Sequence, residues 1–557
     1  MHTHTHTKYL IEHHHQKKGR HLQAPINKKK WIGKHWKKIS RQICGRRRPT
    51  QKKNEKKRRR MGKGANASSR RSSSRRGGGA PVVFSDDDDT VGDVKNNAPA
   101  TFSSEKRFDE LIPGRKYTQI RGKTYDITEF AKRHPGGSQL LMLAHGRDAT
   151  ILFESHHLRS EIVEKVLKTL PTVNVEENWC PDETFPKPLD STLYKKIQKR
   201  VREEVVEPKS KNSGRKARGA GGVKFDAFCV ILCYFVALYM FNTNPTVLTG
   251  MFLGFSAYWS GTGLQHTANH GGLTQSGFVN AIWGWFGCDV VLGKSSIEWR
   301  YHHMVSHHSY CNDATKDQDV YTSFPLIRLD ESLEWKWFHK YQAFYSVLAW
   351  PFLYSAAQIG DFVNVVITKS SPGVEYLGLM KHEMALFYLG RALHYGLKFA
   401  LPMYNFGIKA CILPLVAYGT FGSFILCWFF IVSHNLDGLK PAALPKRAQN
   451  DWAEWQIRTS ASWGESIWSF LTGGLNLQIE HHLFPGMAHN LYPKVVPIVR
   501  EECEKAGVPY HGHPGIFGLF PITVKMFKFL HKMGQKPVEK TITATRRSTR
   551  ASAKKAL

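Results

Sequence analysis

The chain has no CxxC pair anywhere in its 557 residues. Its nine cysteines, Cys44, Cys180, Cys229, Cys233, Cys288, Cys311, Cys411, Cys427 and Cys503, are scattered and odd in number. That pattern excludes a CxxC zinc site and a disulfide framework. A free Cys in an apolar run acts as a small hydrophobe, and a reducing, cytosol-facing setting fits such usage. An apolar segment is also lacking at the start, where MHTHTHTKYL is polar, so no secretory signal peptide is read there. Acidic charge is scarce early: residues 1–80 hold 26 Lys and Arg against two Glu, so +24 of the net +34 lies there. The basic character belongs to a tail, and no nucleic-acid partner is expected of the folded part.

Residues 1–100 lack core-forming side chains. Stretches such as KKNEKKRRR, SSRRSSSRRGGG and SDDDDT read as a disordered, basic low-complexity region. The run at 56–60 has a second, nuclear-type reading. MGKGANAS from Met61 looks like a natural protein start, so residues 1–60 are expected to be an upstream extension.

Organised sequence follows. Residues 105–175 read as a small α+β domain, in which KTYDITEFAKRHPGG gives a strand, a short helix and a sharp turn. Residues 176–223 form a charged linker with helical LYKKIQKRVREEVVE inside it. From 224 to 535 the chain is helical and rich in apolar windows, at Phe225–Phe241, Thr246–Leu264, Tyr341–Ile359, Phe387–Tyr404 and Ile408–Val432. Their lengths approach what a bilayer crossing needs. Arg391, His394 and Lys398 fall inside the fourth, where ionisable groups are costly without a partner. A basic tail, 536–557, closes the chain.

Between these windows lie three histidine-rich segments. QHTANHGG sets His266 and His270 at i,i+4; YHHMVSHHSY sets His303 and His307 at i,i+4 with His308 beside them. QIEHH sets Gln478 and His482 at i,i+4 and His481 at i,i+3. On a helix each spacing puts the side chains on one face. His302 lies outside the pattern and is expected to tolerate change. Imidazole suits Zn, Cu, Fe and Ni. Eight donors overfill one tetrahedral site and suit two metals, which points to a non-haem di-iron centre. His434, in FFIVSHN, reads alone as a core or capping residue, and with the others as a further ligand.

HxxxH, HxxxHH and QxxHH, in this order, resemble the three histidine boxes of membrane fatty-acid desaturases. Gln478 in the third box resembles the front-end subgroup, which fuses a cytochrome b5 domain to the desaturase; HPGG at 134–137 is similar to that domain's signature. The resemblance covers roughly 105–535. It departs at Thr267, where the first box commonly has Asp, which leaves the ligand count intact and bears on the tuning of the site.

The resemblance implies haem b held by His134 and a second histidine after the next two helices, His157 in best register with His156 as the rival. His145 is expected at the surface. It also implies two non-haem irons, O2 as oxidant, a fatty acyl substrate on lipid or CoA, and an NADH-dependent cytochrome b5 reductase. The expected reaction places a cis double bond in a polyunsaturated acyl chain, at Delta-5 ahead of Delta-4 or Delta-6. A sphingolipid long-chain-base desaturase and a di-iron lipid hydroxylase are the alternatives. AIWGWFGCDVV and WPFLY are candidate walls of an acyl tunnel.

All three boxes must meet on one face of the membrane, so about four spans are expected, with 341–359 interfacial. Both termini and the di-iron site are then cytosolic. Lys554 and Lys555 resemble an endoplasmic-reticulum retrieval signal.

Overall fold

The computed structural model describes residues 114–158, 160–174, 185–206, 223–441 and 444–537. The expectations for 1–100, for the charged stretch 207–222 and for Lys554 and Lys555 lie outside the described residues. The chain is mainly α-helical with three small sheets.

The first unit is built on a hairpin. Tyr117–Ile120 and Lys123–Asp126 pair antiparallel, and Thr172–Val173 adds a third strand beside the second. Arg121 and Gly122 both take positive φ (51° and 73°), the two-residue turn that suits the strand twist. Helices Thr150–His156 and Ser160–Leu167 follow, and Ile120, Tyr125, Ile127, Met142 and Leu167 fill the core.

This unit is packed onto the helical body. Backbone meets backbone where a Cβ on Gly277 would lie 2.4 Å from Gly137 N and 2.5 Å from Gly136 C. Gln139 donates to Gly277 O (3.3 Å) and Arg147 to Glu375 O (2.7 Å). Leu143 shares a core with Ile297, Tyr301 and Met304, and Ile151 shares one with Leu483 and Phe484. The linker contributes as well. Helix Thr192–Val201, capped by Ser191, buries Leu193, Tyr194, Ile197 and Val201 in the core that holds Trp452 and Val495.

In the body, helix Val223–Thr243 turns into Val247–Ser260, capped by Thr246, whose hydroxyl accepts from Thr249 N. Gly250 and Gly254 form a GxxxG stripe against helix Ile408–Ile431. A Cβ on them would lie 2.2 Å from Pro414 O and 2.5 Å from Tyr418 O, so only glycine permits this approach. Helix Gln342–Phe362 packs on the other side of Ile408–Ile431. Phe225, Phe228, Leu232, Phe344, Leu348, Phe352, Ile412 and Leu413 face outward, an apolar surface suited to lipid.

Among the described residues two helices, Val223–Thr243 and Ile408–Ile431, are long and apolar enough to cross a bilayer. The four-span expectation meets a physical complication. Window 246–264 divides into Val247–Ser260 and a π-helical Gly261–His266, and window 387–404 into Lys381–Tyr395, π-helical Gly396–Ala400 and Leu401–Phe406. The polar residues of that window are paired internally in part, with the Arg391 guanidinium and His394 Nε2 buried without a hydrogen bond. Lys398 donates to Val290 O (3.0 Å) and to Val291 O, and His394 Nδ1 also lies 3.0 Å from Val290 O. Arg391 lies 3.6 Å from Asp361.

Candidate functional site

The three histidine segments meet in one buried zone. Gly261–His266 and Arg300–His307 are π-helical, and Gln478–Leu483 is a short α-helix. Wide π turns are frequent at functional sites. Two groups of donors result: His266, His270, His303 and His481, and His307, Cys311, His434 and His482. Within each, ligand atoms lie within 4.8 Å of one another. His308 stands between the groups, its ring 4.6 Å from that of His303 and 4.4 Å from that of His482. Gln478 Nε2 is 2.9 Å from His434 Nε2. All nine expected metal-site residues are buried here.

The sorting differs from the one-face expectation. His266 and His270 stay together, with ring centroids 4.9 Å apart. His303 and His307 go to different groups, as do His481 and His482. In a π turn the i,i+5 pair is the near one, and His308 Nε2 lies 3.1 Å from His303 Nε2.

Other residues hold the rings by Nδ1. His307 faces Asp317 (3.1 Å) and Asp319 (3.1 Å), His481 faces Tyr492 OH (3.0 Å), and His482 faces Gln456 Oε1 (2.8 Å). His434 Nδ1 lies 3.2 Å from Thr459 O. Such partners fix the tautomer and aim Nε2 inward. Nε2 of His307, His481 and His482, both ring nitrogens of His270 and Oε1 of Gln478 are buried with no hydrogen-bond partner. Converging, unsatisfied donors are costly as they stand, and bound cations would satisfy them. The donor set therefore fits metal.

Sequence reasoning passed over Cys311, whose Sγ lies 3.5 Å from His434 Nδ1. Its signal was the i,i+4 spacing from His307. Thr267 does not orient an imidazole of either group. It lies 2.8 Å from His489 Nδ1, whose Nε2 reaches Asp226 (3.1 Å). His302 sits between Asp319 (2.6 Å) and Glu298 (3.3 Å). Burial lowers its pKa, but the two carboxylates outweigh that and hold it up to about 10.

A cavity of about 420 Å3 runs beside both groups. His266, His303, His307 and His434 form its metal side, and Lys294, His302, Asp317 and Asp319 its polar end. Ile327, Leu329, Trp350, Leu353, Leu426, Phe430 and Leu530 give it apolar walls, with small Ala356, Ala357 and Gly360 along one helix. Trp350 and Leu353 come from the WPFLY stretch, whereas no residue of Ala281–Val291 lines it.

In the small domain, His134 and His157 face each other with ring centroids 6.3 Å apart and planes at 77°. His134 Nδ1 meets Gly137 O (3.1 Å) and His157 Nδ1 meets Phe153 O (2.6 Å), so each ring is held by that nitrogen. That separation suits one iron with two axial imidazoles. His156 turns away: Nδ1 meets Leu152 O (3.0 Å) and the ring stacks at 5.9 Å on His270. His145 is not at the surface as expected but fully buried, with Nδ1 at the main chain of Tyr117, because the hairpin closes over it.

Comparison with known proteins agrees with this geometry. Residues 242–514 match the sequence model of the family described as Fatty acid desaturase, and residues 104–174 that of the Cytochrome b5-like Heme/Steroid binding domain. An "Acyl-lipid (7-3)-desaturase, chloroplastic" of Chlamydomonas reinhardtii is 39% identical, over 75% of this chain and 81% of its own length. A "Probable Delta(5) fatty acid desaturase C" of Dictyostelium discoideum is 31% identical, over 77% and 94%. An "Acyl-lipid (8-3)-desaturase" of Physcomitrium patens is 30% identical, over 71% and 84%. The first domain implies haem, and the desaturase family implies two non-haem irons, a fatty acyl substrate and O2. With two buried donor groups, an apolar cavity beside them and a facing histidine pair in a fused domain, the chain belongs to the front-end, cytochrome b5-fusion membrane fatty-acid desaturases.

Proposed function

We propose that this desaturase places a cis double bond between an existing one and the carboxyl end of a polyunsaturated acyl chain, at Delta-5. The observation that carries the reading is the apolar cavity lying directly against both buried histidine groups. Delta-4 is the second reading. The 39% identical relative is named (7-3), and others are named (8-3) or Delta(5), so the relatives' names differ in position.

His134 and His157 are the proposed axial ligands of haem b. His266, His270, His303 and His481 would hold one iron, and His307, His434 and His482 the other, with His308 between them and Gln478 beside His434. When bound, these groups supply the oxidising power from O2 and single electrons that side-chain acid–base chemistry lacks. The protein's own residues do the rest. Apolar walls exclude water and hold the acyl chain past the donors; Asp317, Gln456 and Tyr492 engage the Nδ1 atoms and keep the imidazoles aimed. Two electrons, two protons and two acyl hydrogens convert O2 to two waters.

The electrons come from an NADH-dependent reductase, and the acyl chain rides on a lipid or CoA. The division proposed is a haem domain at 105–175, a linker at 176–223 and a membrane domain at 224–535, between a basic region at 1–100 and a tail at 536–557. Four spans put both termini in the cytosol at the endoplasmic reticulum. Internal pairing of Lys398 and of His394 Nδ1, with Arg391 3.6 Å from Asp361, supports a crossing at 387–404, with 341–359 interfacial.

Expression in yeast fed defined polyunsaturated acids tests this by product analysis. A new bond at carbon 5 is expected. A hydroxylated product, or desaturation of long-chain bases alone, would overturn it.

A further inference from the structure

The two functional zones touch through one side chain. His156 follows Ser155 at the end of helix Thr150–His156 and precedes His157, whose ring faces His134. Its own ring points the opposite way, out of the haem-binding domain. It stacks on His270 at 5.9 Å between centroids and 25° between planes. His270 in turn stands 4.9 Å from His266, 5.1 Å from His303 and 5.0 Å from His481.

The ring is held there. Nδ1 is tied to Leu152 O (3.0 Å), one turn back. Gly486 closes over the pair, since a Cβ on it would lie 3.7 Å from both His156 Cδ2 and His270 O. Nε2 of His156 is buried and has no hydrogen-bond partner. The ring therefore stands in the interface with a nitrogen free of competing hydrogen bonds, stacked on a side chain of the first donor group.

We propose that His156 is the bridge by which an electron passes from the haem domain to the metal centre. The inference rests on the proposed haem and iron sites. One electron leaves ferrous haem, which becomes ferric. It passes through His157, the adjoining peptide, the His156 ring and the stacked His270 ring. One ferric non-haem iron becomes ferrous, and no proton need move. His156 is a positioning residue: it makes no bond to haem in this scheme, and it shortens the gap between two ligand shells.

The test uses the full-length protein, loaded with haem and iron, in nanodiscs without O2 or acyl substrate. Haem is reduced in a stopped-flow instrument, and its re-oxidation by the ferric iron centre is followed by absorbance. His156→Ala should slow this step by about tenfold or more, with the haem spectrum and midpoint potential unchanged. His156→Phe should recover part of the rate, because an aromatic ring can still stack. A rate in His156→Ala within about twofold of the parent, with spectrum intact, would overturn the bridge. So would loss of the haem spectrum in His156→Ala, which would make it a ligand. If haem in the parent itself is never re-oxidised by bound iron, the proposed function fails, and not the bridge alone.

Discussion

Gln478 Nε2 lies 2.9 Å from His434 Nε2, amide against imidazole, inside the buried zone. His434 Nδ1 lies at Thr459 O, so the network assigns its proton there and leaves the Nε2 lone pair to the amide N–H or, when bound, to metal. Gln478 Oε1 is left buried and unpaired. Gln478→Ala should abolish product per unit of membrane-inserted protein, and Gln478→His should keep a fraction, because its ring fills the same position. Full product from Gln478→Ala would reduce the amide to packing.

The two donor groups predict two separable metal losses. His303→Ala or His481→Ala should empty one group, and His307→Ala or His482→Ala the other. Iron per protein should fall to about half in each case, with product lost and haem absorbance kept. Full turnover in any one of the four variants would refute its assignment.

The facing pair predicts a spectral pattern. His134→Ala and His157→Ala should each remove the bis-histidine spectrum, since the iron loses an axial ligand. His156→Ala should keep it. The reverse outcome for the last two would move the ligand by one residue.

His302 should prove dispensable for iron and costly for stability, which alters the tolerance expected from its place outside the pattern. His302→Gln leaves buried Glu298 and partly buried Asp319 without the cation they share, at a cost of roughly 3–5 kcal/mol. The sign with pH follows from a pKa held up to about 10. The stabilisation is complete below the unfolded value of about 6.5 and is lost as pH rises through the folded one. Melting temperature in nanodiscs should therefore fall with pH over that window in the parent and stay flatter in His302→Gln. A parallel fall in both would exclude the ion pair as the cause.

Gly277 tests the docking of the haem domain. Gly277→Ala puts a methyl group within 2.4 Å of Gly137 N, backbone that has no side chain to move aside. Product should fall while haem absorbance and iron content persist. Unchanged product would mean that the contact is not needed for electron delivery.

The donors themselves were legible in the sequence because each histidine segment repeats a one-turn spacing. Their grouping was not, because that spacing assumes an α-helix and Arg300–His307 is wider. The orienting residues were hidden by distance along the chain: Gln456 reaches His482 from 26 positions away. Two apolar windows coincide with helices long and apolar enough to cross a bilayer, while the packing role of GMFLG was not legible although both glycines are in the sequence. Composition reports that a segment is apolar; only its neighbour reveals that a missing Cβ is what lets two backbones touch.

The shared core between the haem domain and the helical body has a bearing on traffic. A diffusing carrier serves many clients and must find each one. A carrier packed through Leu143, Ile151 and Gly277 onto its client serves that client alone. Supply and demand are then fixed at one to one by the chain itself, and crowding by rival acceptors in the same membrane has no purchase on the inner step. On the proposed electron route, what remains open to competition is the recharging of the outward side, and the pace of the whole should then follow the abundance of the reductant.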